Sequence, residues 1–168
     1  QLVACYLKIC GMPVFNGDAE VEEDASDARN ESLQERMRQI EAYLKEKEIE
    51  YEVMDQSRIT FLEDEENRII IDISGGCISL SMIRYYLKEM RDVLAHVAFS
   101  AVDQSVGQWI VQEADDCTDV LYYVECRYCE EDDEQVFIDK LACLFRVYLE
   151  SSDIFDDNLR SHLEEVEN

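Results

Sequence analysis

The stretch that decides the fold is residues 58–76, RITFLEDEENRIIIDISGG, in which apolar side chains recur at every second position. Ile59 and Phe61 alternate with polar neighbours, and three isoleucines stand two residues apart in Ile69–Ile73. This period places the apolar side chains on one face of a β-strand. Residues 51–53 alternate in the same way just before the stretch. Polar connections of hairpin length join the three runs, so the sequence predicts an antiparallel meander.

Helical patterns flank this meander. Before it, a capping box at Ser32 and Glu35 opens an apolar stripe with steps of four and three residues, which predicts a helix over about Ser32–Glu48. After it, Gly75 and Gly76 break the third strand. A second stripe then predicts a long helix from about Ser81 to Ala101, with its apolar positions at Ile83, Leu87, Met90, Leu94, Val97 and Ala101.

The C-terminal half adds two strands and a third helix. Gln108–Glu113 and Val120–Tyr128 alternate with period two, and an apolar stripe follows the acidic residues at 130–134. The predicted order is α-β-β-β-α-β-β-α, an α+β fold in which helices pack on an antiparallel sheet.

The predicted domain covers residues 31–150, with an extension at each end. Within residues 1–30, Leu2–Phe15 is apolar and is interpreted as a docked strand or short helix, while residues 16–29 form an acidic, mobile linker. Residues 151–168 are expected to be an acidic tail, or a short helix that docks weakly or frays.

Charge restricts the partners. The chain has fifteen basic and forty acidic residues, for a formal net charge of −25. Such a surface repels phosphate backbones and anionic membranes, and it attracts basic partners at modest salt. Seven cysteines without a disulfide-like spacing indicate a reducing compartment, so we expect a cytoplasmic protein. No apolar run is long enough to cross a bilayer.

The sequence lacks a recognisable catalytic centre, and we expect no enzyme activity, cofactor or metal. Of the two histidines, His96 is interpreted as a partly buried, hydrogen-bonded side chain of the long helix and His162 as solvated. Cys126 and Cys129 have C-x-x-C spacing but lie at the end of a predicted strand, with no second such pair to complete a zinc site. Gly75 and Gly76 are not followed by the residues of a phosphate-binding loop.

Three aromatic residues are the candidate contacts for a partner: Tyr85, Trp109 and Tyr123. Most aromatics at strand or helix period belong to the core. Tyr85 and Tyr123 fall on the side away from the apolar stripe, where amphipathic rings suit a protein interface.

This element order, with a mass of 19.6 kDa and a pI near 4.2, resembles class I type III secretion chaperones and the related YbjN-type bacterial proteins, described as sensory-transduction regulators. The resemblance covers about residues 32–150. It implies a compact sandwich, often dimeric, that holds a partner segment without turnover. The dimer contact of secretion chaperones would correspond here to the helix Ile83–Ala101 and the strand of Trp109. Their partner is an extended segment laid on apolar patches and a sheet edge.

Three functional hypotheses follow. The first is a non-enzymatic module that binds a basic or amphipathic protein segment, chaperone-like or regulatory, and that forms a homodimer. The second is an acidic mimic of nucleic acid that binds a basic protein, motivated by the net charge alone. The third is a metal or redox protein that uses Cys126 and Cys129.

Overall fold

Three α-helices lie within the residues that the structure describes. The computed structural model describes the backbone of residues 23–63, 67–102 and 104–167, and the side chains of residues 30–63, 67–102 and 104–164. The helices are α1, Glu23–Glu46; α2, Arg91–Val102; and α3, Glu134–Glu167. A single 3₁₀ turn, Lys88–Met90, leads directly into α2.

Six strands of the described part of the chain form one sheet. They are β1, Glu52–Val53; β2, Arg58–Leu62; β3, Arg68–Ser74; β4, Cys77–Leu87; β5, Gln108–Glu113; and β6, Cys117–Arg127. Their order across the sheet is β1-β2-β3-β4-β6-β5, and every neighbouring pair is antiparallel. The predicted α+β class with an antiparallel sheet is therefore confirmed.

The strand β4 corrects the predicted helix from Ser81 to Ala101. Gly75 and Gly76 both have positive φ, 59° and 75°, and Ser74 pairs directly with Cys77 across them. Positive φ at both central residues is the requirement of the type I′ hairpin turn, so the two glycines end the third strand, as predicted, and lead into a further strand instead of a helix. The observed order thus contains one strand more than the predicted order, and helix α2 begins only at Arg91.

Helices α1 and α3 are longer than predicted. Helix α1 begins at Glu23 instead of Ser32, so residues 23–29 of the predicted linker are helical. Residues 16–22 and the apolar stretch Leu2–Phe15 lie outside the described residues. Helix α3 runs on through the predicted tail. Phe155 is fully buried and stacks on Trp109 with ring centroids 4.3 Å apart, so the boundary drawn at residue 150 falls inside a core helix.

The helices cover one face of the sheet. Alternate residues of the two central hairpin strands are almost fully buried on this face: Ile69, Ile71, Ile73, Ile78, Leu80 and Met82. Helix α1 contributes Met37, Ile40 and Leu44, and α3 contributes Phe137, Leu141, Leu144 and Tyr148. We call this side the covered face.

Candidate binding surfaces

The opposite side of the sheet carries apolar side chains that are only partly buried. We call six of them the open face: Ile70, Tyr85, Ile83, Ile110, Leu121 and Tyr123. The strand register pairs Ile83 with Leu121, and Leu121 with Ile110. An apolar row therefore crosses β4, β6 and β5 on the side away from the helices. Tyr85 is half-exposed at 50%, and the other five residues of the open face are partly exposed.

Polar groups surround this row. Ser81 lies opposite both Ile70 and Tyr123 in the sheet. The Tyr123 hydroxyl donates a hydrogen bond to Glu125 on the same strand. Asp119, which lies opposite Tyr85 and accepts a hydrogen bond from the Cys117 thiol, is nearly buried. The open face is thus amphipathic, with carboxylates of Asp119 and Glu125 and the guanidinium of Arg68 beside the apolar row, which suits a partner that brings both apolar and charged groups.

Two carboxylates at one end of the open face interact with the same arginine, and their pKa values are shifted in opposite directions. Arg58 donates from Nε to Asp55 Oδ2 at 2.7 Å, and this hydrogen bond lowers the pKa of Asp55. Asp72 stands 3.9 Å from the same guanidinium, and its burial raises the pKa of its carboxyl. Among the described residues, Asp72 Oδ1 is buried without a hydrogen-bond partner. At Asp72, the effect of desolvation on the pKa therefore outweighs the effect of the distant Arg58 charge.

The structure brings Tyr85 and Tyr123 to the open face but removes Trp109 from it. Trp109 is 8% exposed and lies on the covered face, with its ring 4.8 Å from Tyr122 and its Nε1 donating to Ser105. Strand β5 points Trp109 inward and its neighbour Ile110 outward. Sequence reasoning missed Ile110, Ile83 and Ile70, because the outward residues of these strands are apolar as well.

A polar cleft of about 480 Å³ opens beside buried Arg84 at the end of the covered face. Arg84 Nη1 donates to Asp156 Oδ1 at 2.6 Å, and Nη2 donates to Ser152. The Tyr148 hydroxyl donates to Glu63 at 2.5 Å, and burial with this carboxylate raises the pKa of Tyr148. Carboxylates of the chain itself therefore meet the charge of Arg84, which ties β4 to α3 and is not free to bind an anion.

The outer side of α2 is a second exposed apolar surface. Phe99 is 77% exposed, Val102 is 51% exposed, and Val106 just beyond the helix is 63% exposed. We call these three residues the α2 patch. Only Asp103 is acidic between Asp92 and Glu113. The α2 patch therefore lies in a part of the chain that has few acidic residues.

The cysteines of the C-x-x-C spacing lie where a strand ends. Cys126 is partly buried near the end of β6 and Cys129 is exposed just beyond it. Burial raises the pKa of the Cys126 thiol, which reduces its reactive thiolate fraction. Within the described part of the chain, no group of three or more histidine, cysteine or acidic side chains is arranged to hold a metal ion.

The two histidines meet, although they are far apart in the chain. His96 on α2 is exposed, and its ring lies 5.0 Å from that of partly buried His162 on α3, with the planes tilted by 41°. His96 was interpreted as partly buried, but its side of α2 faces away from the buried residues Leu94 and Val97.

Among the described residues, no helix combines the length and apolar character needed to cross a lipid bilayer. No protein-family model matches the chain, and no curated protein matches it significantly in sequence. Its fold is similar to the crystal structure of YbjN from E. coli, a proposed transcription regulator, with a TM-score of 0.56 and 10% identity over 74% of this chain and 93% of YbjN. At that identity the similarity shows a shared fold.

Proposed function

We propose that this chain is a non-enzymatic binding module, chaperone-like or regulatory, that holds a segment of a partner protein on the open face of its sheet. The observation that carries the proposal is the apolar row of Ile83, Leu121 and Ile110 on a face that receives none of the buried helix residues. An amphipathic surface of this kind is typical of an interaction site.

The partner segment is expected to be basic or amphipathic. The net charge of −25 attracts cations from a distance, and the carboxylates of Asp119 and Glu125 border the apolar row. Strand β5 lies at the edge of the sheet, and an extended segment can add there as a further strand. Its alternate side chains would then reach the open face beside Ile110.

A regulatory role is consistent with the description of YbjN as a proposed transcription regulator, although a shared fold does not transfer a function. We place the binding in the cytoplasm, because the five described cysteines are free thiols, as is usual in reducing compartments.

We assign the α2 patch to a second copy of the chain. Two chains of charge −25 repel each other, so they can approach closely only where acidic residues are scarce. Phe99 and its neighbours offer such a surface, and it includes part of the helix that the resemblance to secretion chaperones assigns to a dimer contact. A two-fold axis would bring Phe99 of each copy against the same patch of the other.

The proposal is tested with Leu121→Glu, which places a carboxylate in the apolar row, and Val136→Glu, which makes a matched change at an exposed position on α3. Both tag-free proteins, and the wild type, are used to capture partners from an extract of the source organism at low and high salt. We expect one partner to be retained by the wild type and by Val136→Glu, lost from Leu121→Glu, and weakened by salt.

Equal capture by Leu121→Glu would place the partner elsewhere on the molecule. A partner that is retained by all three proteins and displaced by duplex DNA would instead support the nucleic-acid mimic. Circular dichroism of each variant verifies that the substitution has left the fold intact.

A further inference from the structure

The contact between His96 and His162 lies outside the open face. It has no evident role in the packing of the core. Both rings lie at the surface, one exposed and one partly exposed, and they are the only imidazoles in the chain. Neither ring belongs to the buried cluster or to the residues packed against it. Two unrelated positions on two helices thus bring the only two imidazoles together.

We propose that His96 and His162 form a binding site for a divalent transition metal of the Zn²⁺ or Ni²⁺ class. Neutral imidazole is the ligand that such ions prefer among side chains that stay uncharged. This inference is independent of the function proposed for the open face, and it departs from the expectation that the protein has no metal site.

The separation of the rings fits a shared metal ion. A metal ion bound to an imidazole nitrogen at about 2.0–2.1 Å lies about 3.2 Å from the centre of that ring. Two such rings with centroids 5.0 Å apart correspond to an angle of about 100° between the two metal–nitrogen bonds, close to that of a tetrahedral site. Rotation about each bond leaves the tilt of the planes free, so the observed 41° is compatible with this geometry.

Water would complete the coordination. No further histidine, cysteine or carboxylate joins this pair as a third ligand within the described residues. A site with open positions exchanges its metal readily, unlike a closed structural zinc site. The net charge of −25 raises the concentration of cations around the whole molecule and so favours occupancy.

The metal would clamp two helices beside the α2 patch. His96 and Phe99 are three residues apart, which places them on neighbouring positions of one helix face. A bound ion would join this part of α2 to the C-terminal part of α3. Because the ion binds only when both helices are in place, it would also stabilise the folded chain.

The test uses tag-free, full-length protein with its cysteines reduced, titrated with Zn²⁺ while the imidazole C–H resonances are followed by NMR. Only two imidazoles contribute, so the spectrum is simple. We expect both sets of signals to shift together and to saturate at one equivalent, while excess Mg²⁺ moves neither. His96→Gln and His162→Gln should each lower the affinity for Zn²⁺ by about tenfold or more. The affinity is read from the Zn²⁺ concentration at which the signals of the remaining imidazole shift.

Cys126→Ser combined with Cys129→Ser is the matched control, because thiolates also bind zinc. We expect this double variant to retain the imidazole shifts. The proposal is overturned if neither imidazole responds to stoichiometric Zn²⁺, if one imidazole responds equally well after the other is replaced, or if the response disappears in the cysteine variant. Should one histidine variant fail to fold, the wild-type titration and the other variant still decide.

Discussion

The two faces of the sheet differ in what covers them more than in what they are made of. Leu80 and Ile83 lie three residues apart on β4, and both are aliphatic. Leu80 is fully buried under the helices, whereas Ile83 is only partly buried beside Leu121. The comparison teaches that apolar character on a strand does not by itself assign a residue to the core. The covered face stabilises the fold, whereas we propose that the open face binds a partner.

The largest predicted effect is the difference in stability between alanine variants of these two residues. Leu80→Ala leaves a cavity on the covered face and is expected to lower the free energy of unfolding by about 2–5 kcal/mol. Ile83→Ala removes contacts that are already shared with water, so its loss should stay below about 1 kcal/mol. Urea unfolding of both variants measures the difference. Equal losses would mean that the open face is packed as tightly as the core.

The second-largest effect on stability should come from replacing Arg84, whose charge is buried on the covered face. Arg84→Met keeps most of the side-chain volume but leaves Glu63 and Ser152 without their cation. Removing one partner of a buried pair is costly, and partial exposure of Asp156 reduces the loss, so we expect about 1–3 kcal/mol in urea unfolding. Arg58→Met, at a more exposed ion pair, is the matched control and should cost less. A larger loss from Arg58→Met would show that Arg84 does not anchor α3.

Self-association tests the second exposed surface. We expect light scattering coupled to size exclusion to give twice the chain mass of 19.6 kDa for the wild type. Phe99→Glu places a carboxylate in each copy of the contact and should weaken the dimer by at least tenfold, or about 1.4 kcal/mol. Val136→Glu should leave the dimer unchanged. A wild-type monomer, or a dimer indifferent to Phe99→Glu, would refute the assignment of the α2 patch.

The smallest effect concerns two carboxylates near the open face. The pKa of Asp55 is lowered from its ordinary value of 3.8, so its charge stabilises the fold above that pH and the stabilisation is lost as the pH falls further. The pKa of Asp72 is raised, so its charge opposes folding at neutral pH and ceases to do so once the carboxyl is protonated. Water screens both effects, which should stay under about 1 kcal/mol.

Asp55→Asn is therefore expected to destabilise the protein at pH 7, and Asp72→Asn to stabilise it slightly. At pH 3 the difference for Asp72→Asn should shrink toward zero, because a carboxyl with a raised pKa is protonated there, whereas the difference for Asp55→Asn should shrink only in part, because the pKa of that carboxyl is lowered. Thermal unfolding of the two variants at the two pH values checks the prediction. The same sign for both substitutions at pH 7 would contradict it.

The sequence predicted the strands where alternation was uninterrupted and failed where two periods coincided. Ile83, Leu87 and Met90 have helical spacing, yet Ile78, Leu80 and Met82 alternate just before them, and the sheet decided the outcome. The two glycines predict a break after the third strand, which is present, but the same residues also form a hairpin turn, and the segment that follows them is a strand and not a helix. Trp109 could have been placed in the core, since it shares a face with Val111.

The binding surfaces were less predictable. Tyr123 was assigned to the outward side by strand alternation, which holds in the structure. The apolar row beside it could not be inferred, because only the strand register shows that Ile83, Leu121 and Ile110 are neighbours. Likewise, the contact between His96 and His162 depends on the packing of two helices that no local pattern relates.

The central claim is tested most directly by photo-cross-linking in cells of the source organism. A benzoylphenylalanine replaces Tyr123 or Tyr85 on the open face, or Arg146 on the exposed side of α3 as the control. We predict that both open-face positions yield a cross-link to the same partner protein, with the contact confined to a basic or amphipathic segment, and that Arg146 yields none. Cross-links from Arg146 alone, or equal yields at all three positions, would contradict a binding function of the open face.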